Sequence, residues 1–171
     1  MITENITTGE RADILQTLAK HRDLLRFTVR GLTDEQAAQS PTVSELCLGG
    51  LIKHVAATEQ EWMNFVLGDA DAMTGDDTDW EAYANQFRMA EGETLAGLLD
   101  SYDEVARRTD EIVADLPDLE VSHPLPEAPW FEPGASWSAR RVLLHLIAET
   151  AQHAGHADII RESLDGAKSM G

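Results

Sequence analysis

Residues 142–164, VLLHLIAETAQHAGHADIIRESL, combine a helical apolar pattern with polar groups on the same face. At about 3.6 residues per turn, its apolar side chains form one stripe of a helix that we expect to begin after an N-cap at Ser136. The stripe is made of Val142, Leu146, Ala157, Ile160 and Leu164, and the helix ends before Gly166. Glu149 and His153 fall on that stripe, with His156 at its margin.

Three further segments show the same helical periodicity. Residues 8–31 carry the inward positions Ile14, Leu18, Leu25 and Val29. Residues 49–67, which stop before Gly68, carry Leu51, Val55, Trp62 and either Phe65 or Val66. Residues 91–115 and the next position carry Leu95, Leu98, Tyr102, Val105, Ile112 and Leu116. Each of the three segments is therefore predicted to be an amphipathic helix with one buried face.

The connections between these helices contain shorter signals. Thr33 and Gln36 have the spacing of a capping box, which predicts a short helical turn. WEAYANQF, residues 80–87, is a candidate short helix, and the proline-rich residues 116–136 are expected to be irregular. We find no segment with strand periodicity. The pattern predicts an all-α four-helix bundle in a single domain, residues 1–171, with connections long enough for crossovers.

The composition of the chain argues against some classes of function and indicates the cell compartment to expect. Thirteen Lys and Arg against 31 Asp and Glu give a formal charge of −18, which argues against nucleic-acid or membrane-surface binding. The apolar runs are too short to span a bilayer, and the first residues do not resemble a secretory signal. Cys47 is the only cysteine, so no intramolecular disulfide can form, and a reducing cytoplasm is the expected location.

Glu149 and His153 lie four residues apart, so their side chains emerge one turn apart and could share one metal ion. A divalent ion would also compensate the cost of a buried carboxylate. Without an ion, we expect burial to raise the pKa of Glu149. The alternative is an ordinary solvated Glu–His pair. A third ligand must come from another segment, and the spacing alone leaves several histidines open: His21, His54, His123 and His145.

Two stretches carry a family resemblance. They are LGGLIKHVAATEQEWMNFVLGD, residues 48–69, and PWFEPGASWSARRVLLHLIAETAQHAGHADIIRE, residues 129–162, of which residues 143–162 are the more specific. With the helix order, they resemble the DinB-like superfamily of metal-binding four-helix bundles over nearly the whole chain. The resemblance is strongest to its DUF664 branch, which is related to thiol-dependent transferases.

The resemblance implies a metal set of His54, Glu149 and His153. Many members of the superfamily carry His where this chain has Glu149, and the mycothiol-dependent isomerase branch resembles this sequence in using His, Glu and His. His156 stands where many members have Gln, so it is expected either to support a ligand or to be an extra one. His21 and His145 receive no ligand role from the resemblance.

Two imidazoles and one carboxylate leave an open position on a divalent ion, with Zn, Ni or Fe as the candidates. The resemblance implies that this position activates a small-molecule thiol, mycothiol in actinobacteria or bacillithiol in other Gram-positive lineages. The expected function is a thiol S-transferase or a thiol-dependent isomerase acting on an electrophilic substrate. We also allow for a homodimer.

Two other functions remain open at the level of sequence. One is a metal-dependent hydrolase in which His156 or Glu59 acts as the general base. The other is a metal-binding stress protein without turnover. Cys47 is interpreted as a small buried residue and not as the reactive thiol. Trp130, Phe131 and Trp137 either line the mouth of the site or anchor the loop, and the residues alone favour the anchor.

Overall fold

The computed structural model describes residues 9–69 and 84–169. Within them, four long helices make up the bulk of the fold: α1 (Glu10–Thr28), α3 (Leu48–Val66), α4 (Leu95–Asp115) and α5 (Ala139–Asp165). A short helix α2 (Asp34–Ala37) follows α1, and two short strands, β1 (Ser122–Pro124) and β2 (Ser136–Ser138), precede α5. The predicted all-α four-helix bundle is confirmed. The short helix expected in residues 80–87 falls largely outside the described residues.

The helix boundaries follow from local capping. The capping box at α2 is present, because the Thr33 hydroxyl accepts from Gln36 N and the Gln36 side chain accepts from Thr33 N. Two predicted starts were wrong. The N-cap of α5 is Ser138 and not Ser136, and α4 begins at Leu95 behind the N-cap Thr94 instead of at residue 91. Both true caps are hydroxyl residues, and nearby polar residues offered competing cap positions.

The small sheet was not predicted. β1 and β2 pair antiparallel, with His123 opposite Trp137 and Ser122 opposite Ser138. Three-residue strands are too short for an alternating pattern to be read, and their pairing depends on contacts distant in sequence. The pairing continues into the helix, because Ala139 N donates to Val121 O at 2.8 Å. The sheet therefore fixes the point where the irregular connection enters α5.

Of the long helices that follow each other in the chain, only α3 and α4 pack side by side, whereas the other two consecutive pairs lie diagonally across the bundle. α3 packs on α4 and α5, and α1 packs on α5 and less extensively on α4. The pair α1 and α3, and the pair α4 and α5, therefore occupy diagonal positions. The connection from α4 to α5 crosses the end of the bundle, which confirms the long crossover connection.

The core follows the predicted faces. The inward positions of the first, second and fourth helices that lie under one-tenth exposed include Leu18, Leu25, Leu51, Val55, Trp62, Val142, Leu146 and Ile160. In α4, Leu95 and Tyr102 are buried as expected. The buried stripe there continues through Thr109 and Val113, while Val105 and Ile112 are only partly buried. Among the described residues, no helix is long and apolar enough to cross a membrane.

Candidate metal centre

Three donor side chains from two neighbouring helices meet at the edge of the core. His54 lies in the second turn of α3, and Glu149 and His153 lie one turn apart on α5. One ligand atom from each of them lies within 4.8 Å of the other two. The His153 side chain is 11% exposed and that of Glu149 is 30% exposed. The cluster is therefore shielded by the core on one side and keeps access to solvent on the other.

His54 is held as a neutral imidazole. Phe87 stacks on its ring, with centroids 4.1 Å apart, and His153 meets it edge-on at 4.8 Å. Burial, followed by the neighbouring His153, lowers the pKa of His54 to about 4, although Glu149 and a hydrogen bond with Gln86 oppose this shift. The buried Nδ1 of His54 has no hydrogen-bond partner within the part of the chain that the structure describes. A neutral imidazole with an unpartnered buried nitrogen fits a metal ligand.

Glu149 lies between two imidazoles of its own helix. Its Oε2 is 3.3 Å from His153 Nε2, and its Oε1 is 3.9 Å from His145 Nε2. The hydrogen bond from His153 lowers the pKa of Glu149 and outweighs the opposing effect of burial. The expected rise of this pKa in the ion-free chain is therefore wrong, because the neighbouring imidazoles compensate the carboxylate. Glu149 is an anionic donor at neutral pH.

His153 has a separate neighbour for each ring nitrogen. Nε2 faces Glu149, while Nδ1 lies 3.4 Å from Nδ1 of His156, one turn further along α5. Fixing the far nitrogen of a metal-binding imidazole sets both its tautomer and its orientation. His156 therefore lies at the ring nitrogen of His153 that faces away from Glu149, where it can hold the orientation of the His153 ring.

The other histidines do not join the cluster. Among the described residues, the group with metal-ligand geometry contains neither His21, His123 nor His145. His123 Nε2 lies 3.1 Å from Val66 O, where it fastens β1 to the end of α3.

An aromatic cluster adjoins the metal centre through His145. Trp62 and Trp137 stack face to face with centroids 4.7 Å apart, and His145 meets both edge-on, at 5.0 and 5.3 Å. Phe131 also contacts both indoles. Phe131 and Trp137 therefore anchor the connection on the bundle, whereas Trp130 is 64% exposed.

Two residues considered at the sequence level are engaged elsewhere. Glu59 is fully buried, and its two carboxylate oxygens accept hydrogen bonds from the Arg22 guanidinium, with Nε to Oε2 at 3.1 Å. Arg22 also binds Asp110, so the cluster ties α1, α3 and α4 together. Glu59 is therefore not free to act as a general base. Cys47 is buried at the N-cap of α3, where its sulfur accepts from Gly50 N, so it has a structural place.

A close approach at the start of α3 sets the position of Phe87. A Cβ on Gly50 would collide with the carbonyl of Phe87, and one on Gly49 would collide with the side chain of Met89. The paired glycines therefore let residues 87–89 lie directly against the helix, with the Phe87 ring over His54. Sequence reasoning missed Phe87, which belongs to no periodic pattern. The glycine pair was the available signal, because adjacent glycines inside a helix often mark a close contact.

Comparison with known proteins identifies the family. The sequence profile of the mycothiol-S-transferase family matches residues 13–166. The chain belongs to this family. Its membership confirms the resemblance to the DinB-like superfamily. A solved structure described as a conserved protein from Enterococcus faecalis superposes with a TM-score of 0.67 at 16% identity, covering 94% of this chain and 100% of that one. No curated protein matches the chain.

For a member of the mycothiol-S-transferase family, a divalent metal fits the donor set of the described site. The structure brings together all three residues that the resemblance implied, His54, Glu149 and His153, and leaves His21, His123 and His145 outside the group. The likeness to the E. faecalis protein bears on the fold alone.

Proposed function

We propose that this chain is a metal-dependent thiol S-transferase whose ligands are His54, Glu149 and His153. The observation that supports it most is the convergence of these donors, with the buried Nδ1 of His54 unpartnered. Two imidazoles and one carboxylate suit Zn, Ni or Fe and leave at least one position for an exogenous ligand. Such an ion, when bound, lowers the pKa of a thiol at its open position, so that the thiol is a thiolate at neutral pH.

The chain's own side chains position and shield these donors. His156 orients His153 through the contact between their Nδ1 atoms, and Phe87 covers the ring of His54. His145 contacts both Trp62 and Trp137, so this aromatic cluster covers the side of Glu149 that faces His145. A shielded wall excludes water and favours attack by sulfur over hydrolysis. The protein thereby supplies orientation and a dry boundary, and the thiol supplies the nucleophile.

The proposed reaction joins the sulfur of a small thiol to an electrophilic carbon. The thiol loses its proton to solvent, the sulfur forms a bond to carbon, and either a leaving group departs or the neighbouring carbon takes a proton. Mycothiol is the thiol indicated by the family, and bacillithiol is the second candidate. Isomerisation would follow if the sulfur–carbon bond broke again after rotation. We further propose a single-domain protein of a reducing actinobacterial cytoplasm, where such a thiol stays reduced.

The test is thiol consumption by protein loaded in turn with Zn, Ni and Fe. Mycothiol and bacillithiol are each offered with a haloaromatic electrophile, and loss of thiol and release of halide are measured together. We expect stoichiometric loss with the wild type and with Cys47→Ala, and none with His153→Ala. Turnover of ester substrates at the same rate without thiol would instead favour the hydrolase. Metal binding without either activity would favour the non-catalytic protein.

A further inference from the structure

The outer face of α5 is apolar and carries none of the metal ligands. Leu144 is 54% exposed and Ile159 is 63% exposed, near the two ends of this face. Between them the face contains small residues, Ala148, Ala151 and Gly155, of which Ala148 and Gly155 are exposed. A Cβ on Gly155 would meet nothing within 4 Å. Nothing in the described fold therefore explains a glycine in the middle of this helix, where it costs about 1 kcal/mol relative to alanine.

Charged residues close this face at both ends, with opposite signs. Arg141 lies one turn before Leu144, and Glu162 lies one turn after Ile159. Both are exposed. The Arg141 guanidinium rests over the Trp137 ring at 4.6 Å from its centroid, and the Glu162 carboxylate lies 3.0 Å from Lys168 Nζ. Between them, over about 30 Å, the face has no exposed charged side chain, since Asp158 at its margin is half-buried and accepts a hydrogen bond from Ser169 N. In a chain with a formal charge of −18, this strip is a gap in the general electrostatic repulsion between copies.

The order of residues along the face is symmetric about its midpoint, which lies between Ala151 and Gln152. If two copies of α5 run antiparallel about that midpoint, Leu144 lies level with Ile159 of the second copy, and Ala148 lies level with Gly155. Arg141 then lies level with Glu162 of the second copy. Each contact occurs twice, which is the requirement of a two-fold interface. The small residues at the centre allow the two backbones to approach closely.

We propose that this face of α5 binds a second copy of the same chain, in an antiparallel helix pair closed at each end by Arg141 and Glu162. The partner is a second copy because the face is complementary to itself, in both charge and side-chain size. Burial of Leu144 and Ile159 supplies the apolar contribution, and the end pairs fix the direction and the register. The metal ligands lie on other sides of α5, so each protomer keeps its own metal centre.

The test is sedimentation velocity on the full chain across a range of concentrations. We expect a species of twice 18.8 kDa for the wild type. Arg141→Glu and Glu162→Arg should each raise the dissociation constant by ~10-fold or more, because each places like charges together. The double exchange Arg141→Glu/Glu162→Arg should return the constant towards the wild-type value.

A general effect of net charge would change the dissociation constant of one of these variants in the opposite direction. Glu162→Arg makes the chain less acidic, so simple relief of repulsion would strengthen association, whereas the proposed pair predicts weakening. Asp100→Arg, at an exposed position of α4, makes the same charge change and is the matched control. All variants should keep their metal content. A monomeric wild type, insensitivity to either single change, or failure of the double exchange to rescue would overturn the proposal.

Discussion

Glu149 illustrates, at the scale of single residues, how a polar group is tolerated on a buried stripe. Its carboxylate accepts from His153 and lies near His145, so it stays ionised even without an ion. The spacing of Glu149 and His153 could be predicted from the sequence, because positions four apart share a helix face. The choice of His54 could not, because it depends on how two distant helices pack. It came from the family resemblance instead.

Glu149→Gln separates the role of this carboxylate as a hydrogen-bond acceptor from its proposed role as a metal ligand. Glutamine can still accept from His153, so we expect the ion-free variant to unfold within about 1 kcal/mol of the ion-free wild type. The loss of an anionic ligand should weaken metal binding by more than the ~10–100-fold loss typical of an outer partner. Chelator competition and denaturant unfolding measure the two effects. Equal destabilisation with and without metal would instead make Glu149 a purely structural acceptor.

His156 should act on the metal through His153. His156→Phe removes the Nδ1 contact and should lower metal affinity by ~10–100-fold, whereas His156→Asn keeps an acceptor near the Nδ1 position and should retain most of it. Competition with a chelator of known affinity provides the measurement. If the two variants bind metal equally, the contact with His153 has no orienting role.

The pKa of His54 gives ion-free protein a distinct pH dependence. Its folded pKa of about 4 lies below the ordinary value of 6.5, so the unfolded chain binds the proton first as pH falls. The associated stability is therefore complete above pH 6.5 and is lost as pH falls towards 4. In urea unfolding of chelated protein, His54→Gln should lose less stability than the wild type across this window. An identical pH dependence for both proteins would rule out His54 as its source.

Among the secondary-structure elements, the helices could be predicted from the sequence more accurately than the residues at which they begin. The inward stripes of α1, α3 and α5 required only a count of about 3.6 residues per turn. The start of α5 was misplaced by two residues because Ser136 and Ser138 are both good caps, and the structure pairs Ser136 into β2. β1 and β2 could not be anticipated, since three-residue strands are defined only by their partner.

The paired glycines of α3 predict that substitution by alanine destabilises the protein to different extents at the two positions. Gly50→Ala sets a methyl group against the Phe87 backbone and should destabilise the protein by about 1–3 kcal/mol. Gly49→Ala is the matched neighbour, because its methyl group meets the flexible Met89 side chain, and its cost should be smaller. Denaturant unfolding of the metal-free proteins compares them. A larger cost for Gly49→Ala would contradict the close approach described at Phe87.

At the scale of the whole molecule, the metal should stabilise the bundle because its ligands come from α3 and α5. An ion that binds only the folded chain adds about 2.7 kcal/mol when free metal is 100-fold above the dissociation constant. Composition could predict this molecule's acidity and its single free cysteine. It could not predict that the outer face of α5 has no exposed charged side chain between Arg141 and Glu162, because this depends on the exposure of each side chain in the fold.

Anomalous diffraction at the absorption edge of the metal that the purified protein carries tests most directly whether His54, Glu149 and His153 bind one ion. We expect one strong peak per chain, with a nitrogen of His54, a carboxylate oxygen of Glu149 and Nε2 of His153 each about 2.0–2.2 Å away for a zinc-like ion. His156 should lie behind His153 without touching the ion. A peak ligated by His21, His123 or His145, or no peak between α3 and α5 in metal-replete crystals, would contradict this ligand assignment.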